Sequence, residues 1–459
     1  MEREHLSVET MARWLAGDLA HEEVLRHVAG HLVARCPRCR AARDEVDRLQ
    51  REVEHWDEKV AVFEGRQAPG LLAEIDGLSL DEQLARVRGE ERFQTWGLCR
   101  LLLRRSFEAG LDDPGRAVGL AEVAVAVAEL LVEDAYDPHW IEDLRARSWA
   151  HLGNARRILG ELWSAEAAFR RAEVHAGRST TGNLAVTAEL LDFRASLRRA
   201  QRRLAESREL LEAALALYRE LGDRHRVGRC LISMAKVLEE SGLGDESGAM
   251  AAGGAGGVGA AVAATAATAA TEAGGRGDDL ERAVALLAEA EALIDRERDP
   301  RLLLCARHNR VWLLATAGRG DEAAALLPEA RALSGELGNA LDLVRLRWAE
   351  GRIDLGAGRA EAAERTLREV QQELLSRRMG YDAALASLDL ALLYAQQGRT
   401  AELRRLAAET LPVFESREVH REAMAALLLF QHAAEDERLT VELVRHLAAY
   451  LARERRPSA

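Results

Sequence analysis

Cys36 and Cys39 stand in C-x-x-C spacing within the stretch HLVARCPRCR, and His31 lies five residues before the first of them. Two sulfurs and an imidazole so placed can hold a metal or cycle as a dithiol. Cys36 falls where a helix N-cap is expected and Pro37 at the favoured first helical position. Cys39 then lies about one turn on and faces the same way. A helix N-terminus flanked by Arg35, Arg38 and Arg40 favours the thiolate, the form that binds metal. His27, one turn before His31 on the same helix face, is a local candidate for a further ligand. Four protein ligands leave no open coordination position, and no carboxylate base stands beside the site. The chemistry implied is a structural Zn2+ clip; a metal-free dithiol is the competing reading.

Little else in the chain has the spacing of a reactive site. HEEVLRH (His21 to His27) misplaces the second histidine of a metalloprotease helix, and His21 reads as a surface residue. Gly254, Gly256 and Gly259 satisfy G-x-G-x-x-G, but no strand precedes them and the tract is Ala/Gly-rich throughout. Cys99, Cys230 and Cys305 lie singly in helical stretches and are expected to be small buried packing residues. With no nucleophile–base set or phosphate loop, the expectation is a protein that is not an enzyme, with no catalytic residues.

The elements that must position His31, Cys36 and Cys39 are three short helices over residues 1–60, read from SVETMARWLA, HEEVLRHVAGHLVA and PRCRAARDEVDRLQREVEHW. This segment resembles the zinc-binding anti-sigma domain, or zinc-finger-like domain, of bacterial regulators. The residues that carry the likeness are Leu6 or Met11, Trp14, Leu15, Gly17, Asp18, Leu19, Glu22, Glu23, His31, Leu32, Cys36 and Cys39. One departure is the four residues between His31 and Cys36, where three are usual; it adds roughly 100° of helical turn. The resemblance implies that His5 is the fourth ligand, with His27 as the alternative and water or Asp as further options. It also implies a sigma factor as partner.

After these helices the sequence keeps a beat near forty residues. WAHLGNARRILGELWSAEAAFRRA places Trp149, Leu152, Gly153, Ala165, Phe169 and Ala172 in W-x2-L-G … A-x3-F spacing, which resembles the tetratricopeptide repeat (TPR). The pattern departs at Arg156, where tyrosine is usual, and at Gly177, where a proline often ends the unit. A turn glycine recurs at Gly160, Gly318, Gly358 and Gly398, with Arg202 and Gly242 in the corresponding places. Five residues later comes the small residue of a second helix: Ala165, Ser207, Ala323 and Ala363, with Leu403 a degraded copy. The step from Gly242 to Gly318 is longer by about one low-complexity insert, and the second helix resumes at LERAVALLAEAEALI with Ala283 as its small residue. Ala and Gly cannot bury enough apolar area to offset ordering entropy, so the insert is expected to be disordered.

The expected architecture is therefore all-α: a small three-helix zinc-binding domain (1–60), a linker with a short helix (61–92), an irregular capping helical pair (93–142), an array of about six TPR units (143–420, insert 243–278) and C-terminal capping helices (421–459). The resemblance implies a right-handed α-solenoid whose first helices line a concave groove. Carried over from Trp149, the groove positions are Arg147, Asn154 and Arg157, then Arg199, Lys236, His308, Trp312, Arg345, Trp348 and Arg352. Arginine with tryptophan is the usual chemistry of interaction hot spots, and the lining suits an acidic or helical peptide. Ala150 stands where a lysine clamp for a C-terminal carboxylate would be needed.

Composition agrees. The 459 residues are 4% aromatic, carry a net charge of −13 and contain only two lysines, Lys59 and Lys236. The negative balance argues against non-specific nucleic-acid or membrane binding. MEREHLSVET has no apolar run of a signal peptide, the Ser247–Thr271 run is too weakly hydrophobic to span a bilayer, and isolated cysteines fit a reducing compartment. The expectation is a cytoplasmic bacterial protein that binds protein or peptide partners, with neither nucleic acid nor membrane bound directly; a general scaffold without a sigma-factor role is the alternative.

Overall fold

The computed structural model describes residues 41, 62–110, 113–132, 136–179, 182–244, 278–415 and 440–454. Among them the regular structure is helical, with no strand. The helices are α1 (62–75), α2 (Leu80–Gly89), α3 (Trp96–Ala109), α4 (Pro114–Leu130), α5 (Pro138–Leu159), α6 (Leu162–Arg178), α7 (Leu184–Ala200), α8 (Leu204–Glu220) and α9 (Arg224–Gly244). They continue with α10 (278–293), α11 (Pro300–Thr316), α12 (Gly320–Leu337), α13 (Ala340–Gly356), α14 (Ala360–Ser376), α15 (Gly380–Gln396), α16 (Thr400–Glu415) and α17 (Val441–Glu454). None among the described residues is long and apolar enough to cross a membrane. The expected zinc ligands His5, His27, His31, Cys36 and Cys39, and the Ala/Gly-rich insert between 244 and 278, lie outside the described residues. The chain divides into two compact units, one of residues 1–155 with 177–181 and one of 156–176 with 182–459.

In the first unit α3 and α4 pack on each other and α2 packs on α4. The approach of α3 and α4 is close because α4 turns a small-residue face inward: Ala117, Ala121, Ala124 and Ala128 are fully buried. Ser106 Oγ donates to the Ala117 carbonyl at 2.8 Å, and Cys99 Sγ to that of Ala124 at 3.4 Å. Both helices start at side-chain caps, Thr95 accepting from the Leu98 N–H and Asp113, followed by Pro114, from that of Arg116. The stretch expected to be a linker with one short helix instead carries α1 and α2, and their Ala68, Leu72, Ile75 and Val87 join the apolar cluster of this unit.

The second unit is a succession of helical hairpins. Consecutive helices pack together from α7 through α9 and from α11 through α16, and α7 meets α9, α11 meets α13, and α13 meets α15. First helices therefore form a row of their own. The turns within hairpins fall at Gly160, Arg202, Gly318, Gly358 and Gly398, all with positive φ. Each has the same closure: at Gly358, the Gly358 N–H donates to the Leu355 carbonyl and the Arg359 N–H to that of Asp354. This is the Schellman arrangement, in which the left-handed residue lets the last helical carbonyls find donors.

Five residues past each turn Ala165, Ser207, Ala323, Ala363 and Leu403 are buried, as is Ala283 after the insert. Two crossings show how closely the first helix approaches. Ser207 Oγ donates to the Ala195 carbonyl at 2.8 Å, and a Cβ added at Gly351 would come within 2.7 Å of Leu367. Around these crossings large residues fill the layer: Phe169, Leu211, Leu287 and Leu367 are at most 1% exposed. Trp149, expected to fill the space beside its crossing, is instead half-buried and donates its indole N–H to Glu129 at 3.1 Å. An indole can satisfy its N–H only where an acceptor is in reach, and that draws it to the surface.

Candidate functional site: the row of first helices

The residues expected to line a groove all sit on first helices, and the second unit brings most of them together. His308 and Trp312, one turn apart on α11, stack with ring centroids 6.3 Å apart. Trp312 meets Trp348 of α13 edge to face at 5.1 Å, and the Arg352 guanidinium lies 4.3 Å over the Trp312 ring. Trp348 Nε1 donates to Asp389 Oδ2 of α15 at 2.7 Å, while Arg352 Nε stands 3.8 Å from Asp389 Oδ1. The strip therefore runs unbroken over three first helices. Burial raises the Asp389 carboxyl above its ordinary range, against the opposing pull of Arg352 and the Trp348 hydrogen bond.

His308 is half-buried as a residue, yet its Nε2 is fully enclosed with no hydrogen-bond partner. Burial depresses its pKa to about 4; the positive charges of Arg345 and Lys236 add to that, while a hydrogen bond with Asn309 and the charge of Asp342 oppose it. The ring is neutral at physiological pH.

The strip extends back along the row. Glu239 of α9 is pushed up by burial and is within electrostatic reach of Lys236, Glu240, Arg352 and Arg199. Arg199 donates to Glu240 at 2.6 Å. Arg157, at the end of α5, is lowered to about 10 by burial and by Arg199, with Asp192 opposing; Asp192 accepts from Arg229 at 2.6 Å. Arg147 and Asn154 belong to the other unit, where Asn154 is buried and Arg147 acts electrostatically on Cys99 and Arg100.

The lining is thus not the bare basic surface that arginine and lysine alone suggested. Its carboxylates, Glu239, Glu240 and Asp389, were missed in the sequence. A signal was present: Arg199 and Glu240, and Trp348 and Asp389, are each 41 apart, one repeat onward in the same register. Of the isolated cysteines, Cys99 and Cys230 are fully buried and Cys305 is half-buried; burial pushes the Cys99 thiol up to about 12. Among the described residues no group of three or more His, Cys, Asp or Glu is placed to hold a metal ion.

These features define a class, an all-helical protein of stacked helix pairs with an aromatic and charged strip on its first helices. No family model and no curated protein matches the chain. A solved structure of BtubC (BKLC) from P. vanneervenii aligns with 65% of this chain and 92% of its own, at 15% identity and a TM-score of 0.40. That likeness is too distant to carry an argument about function.

Proposed function

We propose that this chain is a non-enzymatic protein–protein interaction protein of the tetratricopeptide type, in which the row of first helices receives a peptide or protein segment. The observation behind this reading is the continuous His308–Trp312–Arg352–Trp348–Asp389 strip. Aromatic rings and a guanidinium supply large contact area at fixed geometry, which is how a few residues dominate an interface.

The N-terminal segment adds a second arm to the proposal. Residues 1–60 resemble a zinc-binding anti-sigma domain, with His31, Cys36, Cys39 and His5 as ligands. A bacterial cytoplasmic regulator that docks a sigma factor there and a second partner on the helical array follows from that resemblance. Zinc stoichiometry of the purified full chain beside Cys36→Ser and His5→Ala tests the metal: about one zinc in the parent and a loss in both variants is expected. Co-purification with and without residues 1–60 tests the partner. Loss of a sigma subunit on truncation is the expected result; an unchanged partner set would leave only a scaffold.

A further inference from the structure

Among the described residues the last helix is α17. It packs against α15 and also meets α9, both first helices, with α11 and α13 between them in the row. Its 14 residues make a rod about 21 Å long. The helix therefore touches two first helices that are not consecutive in the row.

The two faces of α17 differ. Val444 and Leu447 are buried, with Leu443 and Ala448 half-buried beside them, whereas Glu442, Arg445 and His446 are exposed. The buried pair shares one apolar cluster with Val344 and Trp348, and Trp312 packs against that same cluster. The two tryptophans of the strip are thus in contact with an apolar seat that a segment of the chain itself already fills. Apolar residues at i, i+1, i+4 and i+5 facing the cluster, with Glu442, Arg445 and His446 left exposed, are the pattern by which a helix lies in a groove.

We propose that the row of first helices is a seat for an amphipathic helix, that α17 is its resident occupant, and that a partner docks by presenting a helix with the same apolar spacing and displacing α17. This rests on the interaction reading above and names the kind of partner. A tethered segment competes at an effective concentration in the millimolar range, so a free helix of equal intrinsic affinity is excluded until α17 is weakened or outcompeted.

The test uses the full chain and a fluorescently labelled synthetic peptide of residues 440–454. In the Val444→Asp/Leu447→Asp chain, α17 loses its grip and the peptide should bind at least about tenfold more tightly than to the parent. A peptide carrying the same two aspartates should bind neither. Helical circular dichroism checks that the rest of the array is intact; if the double variant loses most of its helical signal, Leu447→Ala serves in its place, with a smaller gain of about threefold expected. Equal binding to parent and variant, or no binding to either, overturns the proposal. If the peptide fails while the full chain still co-purifies with a partner, the helix seat is wrong and the interaction reading stands.

Discussion

Trp348 and Asp389 illustrate how the strip is held at the scale of single residues. The carboxylate side chain is only 12% exposed, and its partners are one indole N–H at 2.7 Å and the more distant Arg352. Trp348→Phe keeps an aromatic ring but removes the donor and some packing volume, leaving a largely enclosed acceptor short of a partner. It should lower stability by about 1–3 kcal/mol, read from a shift in denaturant midpoint; an unchanged midpoint would show that the hydrogen bond contributes nothing. His308 gives a pH-dependent counterpart. Its pKa of about 4 lies below the ordinary 6.5, so as pH falls the unfolded chain takes up the proton first. The stabilisation is whole above about pH 6.5 and is lost progressively down to about pH 4, amounting to about 3 kcal/mol at most. Unfolding measured across that window should be less pH-dependent for His308→Gln than for the parent. Identical slopes would place the acid sensitivity elsewhere, with His225, also lowered by burial, the next residue to replace.

At the scale of elements, the left-handed turn residue sets where each hairpin folds back. Most are glycine, but Arg202 and Arg378 adopt φ of +62°. A side chain in that region costs about 1–2 kcal/mol, so Arg378→Gly should raise stability by about 0.5–1 kcal/mol once the greater freedom of glycine in the unfolded chain is set against it. Gly358→Ala should have the opposite sign. Thermal unfolding of the two variants checks both, and two shifts of the same sign would contradict the account. These turns also show what was legible. Gly160, Gly318, Gly358 and Gly398 could be read directly because a recurring glycine is a backbone signal, and Arg202 followed from spacing alone. Arg378 lies in a turn between hairpins and carries no such signal. The buried small residues from Ala165 to Ala363 were equally readable, since crossing helices exclude bulk wherever they touch.

At the scale of the whole molecule, the sequence was less informative, for a physical reason. An amphipathic helix looks the same whether it caps a stack or lies against a row, so the residues of α17 predict a buried face without saying what buries it. Charge was misleading in a similar way. Arginines one repeat from a carboxylate read as a basic surface until the packing brings Arg199 to Glu240 and Arg352 to Asp389. The central claim is that partners dock on the first-helix row and not on the second helices. Trp163, on α6, provides the control: it is 88% exposed on a second helix and would be an obvious hot spot if the opposite side were used. The most direct test is affinity capture of partners by the parent, by Lys236→Ala/Arg352→Ala and by Trp163→Ala, each checked for helical content. The account predicts capture by the parent and Trp163→Ala and its loss in the Lys236→Ala/Arg352→Ala chain; capture abolished by Trp163→Ala and retained by the double variant would contradict it.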